Sequence, residues 1–112
     1  MPAEFAAHAA GRAAAQGYPL AAFALGDLYT GRIFRYHVTR DELAACTWYA
    51  IASSLDKQND WEPVQTQPIL GMRSELPDRM EKSRKNLGAG QYAACGSRSA
   101  EWMAAHLQRR TP

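Results

Sequence analysis

Small apolar residues recur along this chain at intervals of three and four, the repeat of a helix face, and nowhere at the interval of two that a half-buried strand requires. In residues 3–16, Ala6, Ala9, Ala10 and Ala13 form such a stripe, and Gly17 stands where a left-handed C-cap is wanted. Pro19 suits the first turn of a second helix, because its missing N–H has no intrahelical partner there. That helix runs to about Thr30 with Ala21, Ala24, Leu25 and Leu28 on one face, and Gly31 ends it. The segment GRIFRYHVTR, 31–40, carries no stripe and reads as a loop. Thr39 and Glu42 then stand three apart, the spacing of a capping box. The third helix, DELAACTWYAIASSL, is expected to turn Ala44, Trp48, Ile51, Ala52 and Leu55 inward. After a polar stretch containing two prolines, a short or kinked helix is expected near Ile69–Leu76, before Pro77. A fifth spans about 78–94, weakened by roughly 1 kcal/mol at each of Gly88 and Gly90. The last begins near Ser99 and points Ala100, Met103, Ala104 and Leu107 inward. The predicted fold class is all-α.

Composition narrows the class further. The 112 residues allow a single domain, 1–112, with one modest core. The formal charge is +2, and the thirteen Lys and Arg are spread along the chain instead of forming a stripe, which argues against a nucleic-acid partner. No run approaches the roughly 18–20 apolar residues of a membrane span, and Glu4, His8 and Arg12 interrupt the start where a secretory signal would be apolar. Cys46 and Cys95 are far apart and lie in Ala-rich helical contexts, so the expectation is buried free thiols and a cytoplasmic location.

The second and third helices together read AAAQGYPLAAFALGDLYTG, a loop, then RDELAACTWYAIA. This resembles a Sel-1-like repeat, a relative of the tetratricopeptide repeat. The resemblance rests on Ala15, Gly17, Ala21, Ala24, Leu25, Gly26, Tyr29, Gly31 (one position early), Asp41, Ala44, Trp48, Tyr49 and Ala52, and covers about residues 13–53. The loop is longer and more aromatic than that family's usual connection. The resemblance implies a short α-solenoid of antiparallel hairpins, with about one full repeat in 3–53 and closing helices in 66–110. Gly17, Ala21, Leu25, Gly26, Tyr29, Gly31, Ala44, Trp48 and Ala52 would then be repeat-packing residues. Stacks of this kind usually need three or so repeats, so a protein partner or a second copy of the chain is expected to cover the remaining face.

Candidate chemistry is sparse. Gly26 and Gly31 in ALGDLYTG are spaced almost as in a phosphate loop, but no strand precedes them, Arg32 replaces the lysine, and Ile33 offers no hydroxyl. They are read as a close-approach point and a helix stop. His8, His37 and His106 lack any paired ligand spacing, and no metal or cofactor is expected. Asp41, Glu42, Glu75, Asp78, Glu81 and Glu101 stand mostly near expected helix starts, where they complement the helix dipole. The stretch Arg32, Ile33, Phe34, Arg35, Tyr36, His37 mixes cations with aromatics, the residue types enriched at interface hot spots. Arg32, Phe34, Arg35, Tyr36, His37, Arg40 and Trp61 are therefore the partner-binding candidates. The leading expectation is a non-catalytic protein–protein interaction module. Alternatives are an immunity or inhibitor protein that binds a toxin or enzyme, a small enzyme using Cys95 or His37, and weak nucleic-acid binding through Arg32, Arg35, Arg40, Arg109 and Arg110.

Overall fold

Four helices make up the regular structure in the computed structural model of the protein, which describes residues 3–33, 39–58 and 67–106. They are α1 (Ala3–Ala15), α2 (Pro19–Tyr29), α3 (Glu42–Gln58) and α4 (Gln67–His106), and no strand occurs among the described residues. The all-α expectation holds. α3 lies between α2 and α4 and packs extensively on both, while α1 packs on α2.

The first two helix ends are built alike. Gly17 (φ 97°) and Gly31 (φ 79°) turn the chain through left-handed backbone. After α1, the Tyr18 N–H reaches back to the Ala13 carbonyl at 3.3 Å; after α2, the Arg32 N–H reaches the Asp27 carbonyl at 3.0 Å. Both are Schellman closures, which satisfy carbonyls that the helix itself leaves open. Pro19 begins α2 and is buried. α3 starts differently from the expectation. Asp41, not Thr39, is the cap: its Oδ1 accepts the Ala44 N–H at 3.0 Å, and Glu42 turns aside to Arg40. Helical backbone begins at Glu42, so Thr39 stands too far upstream to reach a free donor.

The C-terminal half corrects the sequence reading most. Helices near 69–76, 78–94 and from 99 onward merge into α4, which passes through Pro77 and changes direction at Gly88 (φ 78°, ψ 170°). Pro77 is exposed, on a face where a long helix tolerates a residue that lacks an N–H. Gly88 permits a backbone conformation that a side chain would strain, and there the axis breaks.

The buried stripes are rotated from those expected. In α3, Ala45, Cys46, Tyr49, Ile51, Ala52 and Leu55 are buried, whereas Ala44 and Trp48 are only half-buried. α1 buries Ala14, with Ala9 exposed; α2 buries Ala22, Leu25, Gly26 and Leu28, with Ala21 and Ala24 at the margin. In the last stretch Met103 is half-buried as expected, but Ala100 and Ala104 are exposed, and Ser99 and Trp102 face inward instead; Leu107 lies outside the described residues. Cys46 and Cys95 are joined as a disulfide, with their Cα atoms 5.9 Å apart and both residues buried. The free-thiol expectation is overturned, and the cytoplasmic expectation loses the support it drew from the cysteines.

Candidate functional site

Asp27 is the one charged residue in α2, an otherwise apolar helix, and it is where three helices meet. Gly26 beside it is buried because the Tyr49 ring of α3 lies flush against the α2 backbone. A Cβ built on Gly26 would stand 2.8 Å from Tyr49 Cζ and nearer still to Cε1 and Cδ1. The absent side chain is thus what lets the ring lie there and its hydroxyl reach along α2. The Tyr49 hydroxyl donates to Asp27 Oδ1 at 2.5 Å. From α4, Arg79 meets the same carboxylate with both arms of its guanidinium, Nε to Oδ1 at 2.7 Å and Nη2 to Oδ2 at 3.2 Å. Arg79 Nη2 also donates to Glu75 Oε2 at 2.9 Å, one turn back on α4. The guanidinium stacks over Phe23, 5.0 Å from the ring centroid, and Phe23 in turn tilts against Tyr49.

Electrostatics follow from this geometry. The side chains of Asp27 and Arg79 are only 15% and 13% exposed, so their attraction is poorly screened. The hydrogen bonds to Asp27 raise the Arg79 pKa above its already high value, and the guanidinium stays charged. Burial, reinforced by the hydrogen bond to Asp27, pushes Tyr49 up to about 12. A phenol moved away from neutrality is poorly suited to proton transfer at physiological pH. Both carboxylate oxygens, both guanidinium arms and the phenol are engaged with one another, which makes the cluster a fastening between α2, α3 and α4.

The fastening carries the base of the Arg-aromatic loop. Thr30 donates to the Asp27 carbonyl at 3.1 Å and its hydroxyl lies 3.4 Å from that of Tyr49. Where the chain returns, the Asp41 N–H bonds to the Tyr29 carbonyl at 3.0 Å, so the outgoing and incoming ends are tied together. Arg32, at the outgoing end, has its Nε 4.0 Å from Asp27 Oδ1 with the side chain 40% exposed. Arg40, at the incoming end, is 67% exposed and pairs with Glu42 at 3.1 Å. The structure thus brings Arg32 and Arg40 to opposite ends of one anchored loop. Phe34, Arg35, Tyr36, His37 and Trp61 lie outside the described residues. So do Arg109 and Arg110, the remaining arginines proposed for nucleic acid.

The residues expected to serve repeat packing fall in and around this fastening. Leu25, Gly26 and Ala52 are buried, Ala21 and Tyr29 flank the core, and Gly17 and Gly31 close their helices. Trp48 instead meets Trp102 edge-on, 5.2 Å between ring centroids, and Trp102 stacks on His106 at 5.3 Å. His106 is exposed. With both sulfurs in the disulfide, neither cysteine offers a nucleophilic thiol. Among the described residues, no three His, Cys, Asp or Glu side chains gather as a metal site, and no helix is long and apolar enough to cross a membrane.

Asp27 and Arg79 were not singled out by the sequence reading, and Tyr49 entered it only among the residues of the repeat resemblance. The available signal was the lone carboxylate inside PLAAFALGDLY, since a charge amid an apolar helix needs a partner once it is buried. No known family matches this chain, and neither a curated protein nor a solved structure matches it.

Proposed function

We propose that this protein is a non-catalytic interaction module of Sel-1-like type, a short solenoid of helical hairpins that presents the segment between α2 and α3 to a protein partner. The observation that carries this reading is the anchorage of that loop. Its ends are joined by the Asp41–Tyr29 hydrogen bond and stand over a buried ion pair shared by three helices. A rigid frame beneath a cation-rich loop lowers the ordering cost of recognition, because the scaffold need not rearrange when the loop is engaged. The close approach of α2 and α3 at Gly26 agrees with the small-residue grammar of the repeat resemblance. The exposed arginines at the loop base suit an acidic partner surface.

Site-directed photocrosslinking tests the reading. A crosslinker placed at Arg32 or Arg40 is expected to trap one discrete partner band in cells, while the same probe at exposed Arg98 on α4 does not. Equal labelling from all three positions, or none from the loop base, refutes it.

A further inference from the structure

α4 is two helices sharing one name. Its proximal segment, 67–87, and its distal segment, 89–106, meet at Gly88, and they are attached to the body by different means. The proximal segment buries Met72, Leu76 and Ser83 and contributes Arg79 to Asp27 and Arg73 to Asp56. The distal segment buries only Cys95 and Ser99, with Tyr92, Ala94, Trp102 and Met103 half-covered. Its side-chain hydrogen bonds among the described residues, Ser97 to the Ala93 carbonyl and His106 with the Trp102 carbonyl, stay inside the segment. What joins it to the body is therefore the Cys46–Cys95 bond, the edge contact of Trp102 on Trp48 and the packing of Met103 against the core.

We infer that residues 89–106 are a strap over α3, hinged at Gly88 and clasped by the disulfide, whose docking is redox-dependent while the rest of the fold is not. Opening the clasp takes two electrons and two protons from a dithiol. One thiolate attacks a sulfur of the Cys46–Cys95 bond and forms a mixed disulfide as that bond breaks. The second thiol of the reductant closes on the first, leaving as a cyclic disulfide, and Cys46 and Cys95 become thiols. Both cysteines are buried, 0% and 2% exposed, so the docked strap shields its own clasp and attack waits on local opening. Once reduced, the strap retains one aromatic contact and partial burial of Met103, while the Asp27–Tyr49–Arg79 fastening is chemically untouched.

Hydrogen exchange followed by peptide mass spectrometry tests this on the whole chain in three forms: oxidised by glutathione disulfide, reduced by dithiothreitol, and the Cys46→Ala/Cys95→Ala variant. The expected result is faster exchange in 89–106, by about tenfold or more, in the reduced and variant forms. Protection in 42–58 and 69–87 stays within about twofold of the oxidised protein. Unchanged protection of 89–106 on reduction overturns the proposal, as does loss of protection throughout the chain in the reduced wild type. Two alkylatable thiols remaining after treatment with glutathione disulfide would also overturn it. If the double variant fails to fold, the reduced wild type decides.

Discussion

The two halves of α4 run in one chain and lie against the same neighbour, yet they are held by opposite strategies. Up to Leu87, attachment is distributed over buried Met72 and Leu76, a forked Arg79–Asp27 pair, and Arg73 gripping Asp56 through Nε and Nη2. Beyond Gly88, attachment is concentrated in one covalent bond, one ring edge and the half-buried Met103. Distributed contacts fail gradually and depend on geometry at many atoms. A single crosslink fails all at once, and it leaves the surrounding side chains free to be small. That is why glycine, alanine and serine dominate 88–100.

The sharpest way to break the distributed half is Asp27→Ala. It leaves a largely buried guanidinium with exposed Glu75 as its remaining counter-charge and takes the acceptor from a buried phenol, and a cost of about 3 kcal/mol is expected in urea unfolding. A cost below about 1 kcal/mol would show that apolar contacts alone hold α2, α3 and the proximal segment together. Gly26→Ala comes next. The new methyl collides with a ring that is 1% exposed and cannot withdraw, and this outweighs the gain in helix propensity, for a net loss of about 2 kcal/mol in the same measurement.

Tyr49→Phe removes only the hydroxyl, with an expected cost of about 1 kcal/mol at neutral pH. Its larger signature lies at alkaline pH. The unfolded phenol releases its proton near 10 and the folded one near 12, so above pH 10 the folded state holds more protons than the unfolded state. The stability due to Tyr49 is therefore fully present below pH 10 and is lost as pH rises through 12. In a spectrophotometric titration, one of the five tyrosines should ionise near 12, and the phenylalanine variant should lack that step. The smallest effect has the opposite sign. At Gly96, in the distal segment, an added Cβ meets nothing within 4 Å, so Gly96→Ala should stabilise by up to about 1 kcal/mol in thermal unfolding. Destabilisation there would mean that the distal segment is more tightly fitted than its exposure indicates.

These contrasts explain which features were legible from the residues alone. Helix class and the ends at Gly17 and Gly31 follow from local rules, since stripe spacing and left-handed glycine act over a few residues. Pro77 misled because the same local rule treats proline as a stop, whereas on an exposed face a long helix tolerates it. Trp48 was expected on the inward stripe and Tyr49 was named only within the repeat resemblance, whereas it is Tyr49 that is fully buried, with a partner for its phenol. That partner, Asp27, lies 22 residues upstream on another helix. The cysteine pair, 49 residues apart, carries no periodic signature at all. The loop base was legible as chemistry, through Arg32 and Arg40, but not as architecture, since its anchorage depends on Asp41 meeting Tyr29.

The separation of 52 positions between Asp27 and Arg79 has one further consequence, for the order in which the molecule can be finished. A nascent chain that has emerged only through α3 holds the acid of α2 and the phenol of α3 but not the docked α4, so its carboxylate is wetter than in the finished fold, with exposed Arg32 as a counter-charge 4.0 Å away. Full burial of the acid therefore waits for Arg79 to dock from α4, which makes Asp27 a check on completion as well as a tie.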